Sequence, residues 1–129
     1  MVPKKILIVD DEPSITRLLK LNLEKTGRYT VRAENLGAQC LPAAREFLPD
    51  LIILDVMMPD LDGGTAADQL KRDPLLRDIP VVFLTAGVKK EEVAARGGII
   101  GGFPYIAKPL NVNGVIEVIE QNLGKNLGK

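Results

Sequence analysis

Three short apolar runs in this chain each end in charge: Ile6-Leu7-Ile8-Val9 leads into Asp10, Asp11 and Glu12, Leu51-Ile52-Ile53-Leu54 into Asp55, and Tyr105-Ile106-Ala107 into Lys108 and Pro109. If these runs are neighbouring parallel strands, the three aspartates and the lysine meet at one edge of a sheet. Carboxylates crowded together repel one another unless a cation lies among them. Hard oxygen donors in that number suit a divalent metal such as Mg2+, and a lysine beside them suits an anion. The combination points to phosphoryl chemistry.

The elements that must position these groups alternate along the chain. Pro13 stands where a first helical turn tolerates it, and Ile15, Leu18, Leu19 and Leu23 recur at helical spacing until Gly27. Tyr29 to Ala33 alternates like a strand. Asn35 can cap a second helix with the stripe Leu36, Cys40, Ala44, Phe47 and Leu48, in which Pro42 predicts a kink or a late start. The unbroken run at 51–54 predicts a central strand covered on both faces. Ala66, Ala67 and Leu70 mark a third helix ending near Pro74, and 81–84 reads as a buried strand. Residues 89–96 are helix-like, the glycines at 97, 98, 101 and 102 disfavour helix around Ile99-Ile100, and a last helix carries Val112, Val115, Ile116, Ile119 and Leu123. Strand and helix alternating five times predict a doubly wound α/β fold with a parallel sheet and helices on both faces. In such sheets ligands bind beyond the carboxyl ends of the strands, and an order 2-1-3-4-5 would seat four of those ends around one crevice.

Size and composition narrow the classes further. A chain of 129 residues with 46% hydrophobic residues suits one domain with one core. Lys plus Arg and Asp plus Glu both total 17, so no overall basic field invites nucleic acid, and no direct nucleic-acid binding is expected. The single cysteine, Cys40, excludes an internal disulfide and reads as core filler. No apolar stretch approaches the ~20 residues of a membrane span, so a cytoplasmic location without membrane insertion is expected.

The sequence resembles the receiver domains of two-component response regulators, flavodoxin-like phosphoacceptor modules, over nearly its whole length. The resemblance rests on Val9-Asp10-Asp11-Glu12-Pro13, on Leu54-Asp55-Val56-Met57-Met58-Pro59 with Asp62-Gly63, on Leu84-Thr85-Ala86 and on Lys108-Pro109, in that order and at strand ends. It implies that Asp55 accepts a phosphoryl group, that Asp11, Asp55 and the backbone carbonyl of Met57 bind Mg2+ directly, and that Asp10 acts mainly through a bound water. It assigns Lys108 as counter-charge to the phosphoryl oxygens, with a cis bond to Pro109. Thr85 would donate its hydroxyl to a phosphoryl oxygen, and Thr85 and Tyr105 would form the conformational switch.

The same resemblance implies a receiver over 1–124 with a polar tail at 125–129, expected to stand alone without an output module. It would act as a signalling domain rather than an enzyme with its own substrate, as a monomer or a phosphorylation-dependent dimer. With no histidine in the chain, the donor would be a sensor histidine kinase or a histidine phosphotransfer domain. A downstream protein would read the face formed by 89–96, the strand ending at Ala107 and the last helix. Met57 and Gly87 offer no group to orient a water, which predicts slow self-dephosphorylation, and the glycine run predicts a mobile signalling face. Two other classes are weighed: a receiver-like binding module that is not phosphorylated, and a Mg2+-dependent phosphatase of the haloacid dehalogenase type, which wants a second acid where this chain has Met57.

Overall fold

Aliphatic and β-branched runs form the strands of a computed structural model, which describes residues 2–86, 99–100 and 102–127, with the backbone alone at 99–100 and 124–127. The strands are β1 (Lys4–Val9), β2 (Tyr29–Glu34), β3 (Leu51–Asp55), β4 (Val81–Thr85), β5 (Ile99–Ile100) and β6 (Phe103–Ala107). The helices are α1 (Pro13–Lys25), α2 (Cys40–Phe47), α3 (Gly63–Arg72) and α4 (Val112–Leu127), with a short 3-10 turn at Gly37–Gln39 before α2. Five strands pair in parallel in the order β2-β1-β3-β4-β6, the expected 2-1-3-4-5 arrangement of the five apolar runs.

The core lies on both faces of this sheet. Alternate residues of each strand point to opposite sides. On one side Leu7, Ile52, Leu54 and Phe83 pack against Cys40, Ala44, Ala67 and Leu70 of α2 and α3. On the other, Ile6, Ile8, Ile53 and Leu84 meet Leu19 and Leu23 of α1 and Val115 and Ile119 of α4. All five residues of β3 are buried, as its unbroken apolar run predicts. Each fully buried Leu or Ile contributes about 1.5–3 kcal/mol, so charge at the strand ends is held on a stiff support.

Several local expectations are corrected. Ile99-Ile100 is not helical, as its glycines predict, and forms a strand the sequence did not signal, antiparallel at the edge of β6 with Ile99 opposite Pro104 and Ile100 opposite Phe103. Gly102, at φ +86, supplies the left-handed turn residue such a hairpin needs. Asn35 does not cap a helix; its amide donates to the Asp10 carbonyl at 2.8 Å and to Thr16 Oγ1 at 3.1 Å, tying β1 to α1. Leu18, Leu36 and Leu48 are exposed rather than core residues, and Leu48 closes α2 in the left-handed region at φ 49. In α1 the buried place falls to Thr16, whose hydroxyl is satisfied by the Pro13 carbonyl at 3.2 Å. Pro42 stands in the first turn of α2, where its missing N–H has no intrahelical partner to lose, so the late start holds. The last helix continues beyond Gly124 to Leu127, into the segment 125–129 expected to be tail. The helix expected at 89–96, Gly87 and the glycines at 97, 98 and 101 lie outside the described residues. Among the described residues no helix is long and apolar enough to cross a membrane.

Candidate functional site

Parallel pairing carries β1, β3, β4 and β6 to one edge, and their next residues build the site. Val9 is in register with Leu54, so Asp10 and Asp55 follow on adjacent strands. Thr85 is in register with Ala107, and the Thr85 carbonyl accepts the Lys108 N–H at 2.8 Å, which seats the lysine beside both. The Lys108-Pro109 peptide is cis, as the resemblance implies. Asp10, Asp11 and Asp55 each offer a carboxylate oxygen, and these oxygens all lie within 4.8 Å of one another.

The loop after β3 is drawn tight over this edge. Gly63 N–H donates to the Val56 carbonyl at 2.8 Å, and a Cβ at Gly63 would come within 2.3 Å of the Asp55 carbonyl oxygen, so only glycine permits α3 to begin there. Asp62 caps α3 by accepting from the Thr65 N–H at 2.8 Å. Asp60 reaches back to accept the N–H groups of Gly37 and Ala38, each at 2.9 Å, and so pins the 3-10 turn. The Met57 N–H points to Asp55 Oδ1 at 3.4 Å, while its side chain is exposed. A groove of about 600 Å³, lined by Asp11, Val56, Met57, Met58 and Pro59, opens beside the carboxylates.

Charge at the floor is unbalanced. Lys108 Nζ stands 3.0 Å from Asp10 Oδ2, 3.0 Å from Glu12 Oε1 and 3.6 Å from Asp55 Oδ1. The Glu12 contact is a hydrogen bond, whereas Asp10 Oδ2, buried, meets the ammonium as an ion pair and is without a hydrogen bond among the described residues. Burial raises the Asp10 pKa, against the Glu12 N–H and Lys108, which lower it. Burial also raises Asp55, helped by the Asp10 charge and the Asp11 carboxyl, to about 6. For Lys108 burial works against the ammonium, but Glu12, Asp10 and Asp55 outweigh it and the net shift is upward. A buried oxygen without a hydrogen bond and two carboxylates with raised pKa values mark a place short of positive charge, and the all-oxygen donor set fits a hard divalent ion.

The remaining expected residues are placed as follows. Thr85 is buried at the end of β4, on the strand next to Asp55. Tyr105 is not in the carboxylate cluster; it is half-buried on the α2/α3 side, its ring 5.1 Å from Phe83, beside a groove of about 330 Å³ that Lys71 and Phe103 also line. Sequence reasoning missed Asn35 and Asp60 as braces of the site and gave Glu12 no partner. Their bonds join distant segments, and no local pattern signals them.

An acid-lined crevice beyond the carboxyl ends of a 2-1-3-4-5 parallel sheet defines a flavodoxin-like α/β module. Comparison with known proteins then fixes the family: residues 6–120 match the response regulator receiver domain, and the chain belongs to that family, a signalling domain of two-component systems. It is 39% identical over 124 residues to the polar-differentiation response regulator DivK of Brucella anthropi, covering 95% of this chain and 98% of that protein. It is 44% identical over 109 residues to the alkaline phosphatase synthesis transcriptional regulatory protein PhoP of Bacillus subtilis, covering 84% of this chain but 43% of PhoP. The crystal structure of a putative response regulator from Chloroflexus aurantiacus superposes with a TM-score of 0.81 at 31% identity, covering 95% of this chain and 99% of that one.

Proposed function

We propose that the domain accepts a phosphoryl group on Asp55 from a histidine-phosphorylated protein and relays the event by protein contact. The observation that carries this reading is a buried carboxylate ending the central strand, with a lysine 3.6 Å away and two further carboxylates beside it. In the reaction an Asp55 oxygen attacks phosphorus, a P–O bond forms, the P–N bond to the donor imidazole breaks, and its electron pair stays with the imidazole. Mg2+ held by Asp10, Asp11, Asp55 and the Met57 carbonyl would keep these carboxylates ionised and offset charge on the transferring group. Lys108 meets the phosphoryl oxygens with a fixed positive charge, and Thr85 donates its hydroxyl to one of them.

The donor is a sensor histidine kinase or histidine phosphotransfer domain, since this chain has no histidine. Tyr105 and Thr85 carry the change to the face around β6 and α4, where a downstream protein binds. The domain works in the cytoplasm as one receiver unit, and exposed Met57 leaves the acyl phosphate without a water-orienting side chain, so it persists. Labelling with acetyl phosphate and Mg2+ tests the assignment: wild type takes up one acid-labile phosphoryl group that hydroxylamine also releases, as expected of an acyl phosphate, and Asp55→Ala takes up none. Equal labelling of Asp55→Ala would overturn it.

A further inference from the structure

Lys108 is shared among three carboxylates, and the three are not equivalent. Asp10 is fully buried and Asp55 nearly so, whereas the Glu12 side chain is 54% exposed. Yet Glu12 accepts a directed hydrogen bond from the ammonium, at 3.0 Å, reaching it from the first residue before α1. An ammonium has three donors. Asp10 cannot leave without stranding a buried charge, but a Glu12 carboxylate that swings away is rehydrated at once.

We propose that Glu12 is the resting counter-ion of Lys108, displaced when a phosphoryl group on Asp55 claims the ammonium. This rests on the phosphoacceptor reading and adds to it a competitor built into the loop after β1. The competitor weakens the phosphoryl-bound form and holds the lysine in place until that form arises. Since an ion pair with one solvated member is weak, the competition changes the equilibrium by about two- to fivefold.

Beryllofluoride at saturating Mg2+ serves as the phosphoryl mimic, with 13C and 15N NMR of the Glu12 carboxyl and the Lys108 ammonium. In wild type, binding is expected to move the Glu12 carboxyl signal to that of a free, exposed glutamate while the Lys108 signal shifts. Glu12→Gln is expected to bind the mimic about two- to fivefold more tightly, and Glu12→Asp, too short to hold the same contact, to fall between. Tighter binding with a matching Glu12 shift supports the proposal. Equal or weaker binding by Glu12→Gln, or a Glu12 signal that does not move in wild type, overturns it while leaving the phosphoacceptor reading intact. Failure of wild type to bind the mimic at all overturns both.

Discussion

Asp55 and Asp60 stand in one short stretch, at the floor and the rim of the same crevice, and their surroundings act on them in opposite directions. Asp55 is buried beside Asp10 and Asp11, and its pKa is pushed up to about 6. Asp60 takes two backbone N–H groups at the mouth, and those hydrogen bonds hold its pKa below the usual value. Asp62 is lowered too, by the Thr65 N–H and hydroxyl. The rim carboxylates are satisfied within the protein, whereas the floor carboxylates await something from outside. A fold tolerates such a shortfall only where rigid strands over-determine it, and here β1 and β3 do so.

The largest expected effect comes from removing the cation that stands among the floor carboxylates. Lys108→Ala leaves Asp10 and Asp55 buried together without the counter-charge it supplies, and should cost about 3 kcal/mol in urea denaturation without metal. Adding Asp55→Asn to that variant should recover part of the loss. If the two substitutions were simply additive, the floor charges would not be coupled and the contrast with the rim would fail.

Next in size is a difference in pH dependence, measured by urea denaturation with a chelator present. The Asp55 pKa is raised in the folded state, so its contribution to stability is complete below the unfolded value of about 3.9 and is lost as pH rises through about 6. Asp55→Asn should therefore resemble wild type near pH 4 and exceed it by about 2–3 kcal/mol near pH 8. Mg2+ should narrow that gap by stabilising wild type. Asp60 has the opposite sign. Its lowered pKa gives stability above the unfolded value that is lost as pH falls through the folded one, so the penalty of Asp60→Asn should shrink on acidification. Two parallel pH profiles would erase the distinction between floor and rim.

The floor was legible in the sequence and the rim was not, for a physical reason. Asp10, Asp55 and Lys108 follow apolar runs, and a parallel sheet brings the ends of such runs together whatever the loops do. Asn35, Asp60 and Glu12 owe their roles to single hydrogen bonds between segments distant in the chain. Asn35 before an apolar stripe also fits a helix cap, and only the nearness of Asp10 and Thr16 decides otherwise. Leu18, Leu36 and Leu48 show the same limit in packing, since helical spacing gives the stripe but not its width. At Ile99-Ile100 glycine content rightly argued against helix but could not signal the strand, because the pairing that makes it one comes from β6.

The smallest expected effect tests whether the rim bonds brace the loop or merely decorate it. Cys40 begins α2 directly after the 3-10 turn that Asp60 pins, and its N–H donates back to the Gly37 carbonyl. Burial pushes its thiol up to about 12, so at pH 8 a thiol reagent reaches it chiefly when the turn opens. Asp60→Ala, which frees the Gly37 and Ala38 N–H groups, should label a few times faster than wild type under native conditions, with little change in the urea midpoint. Asp55→Asn should label no faster, because its charge bears on the floor and leaves the turn pinned. Equal labelling rates in all three proteins would mean that the turn stays closed without Asp60, and the rim would then play no part in holding the crevice open over Asp55.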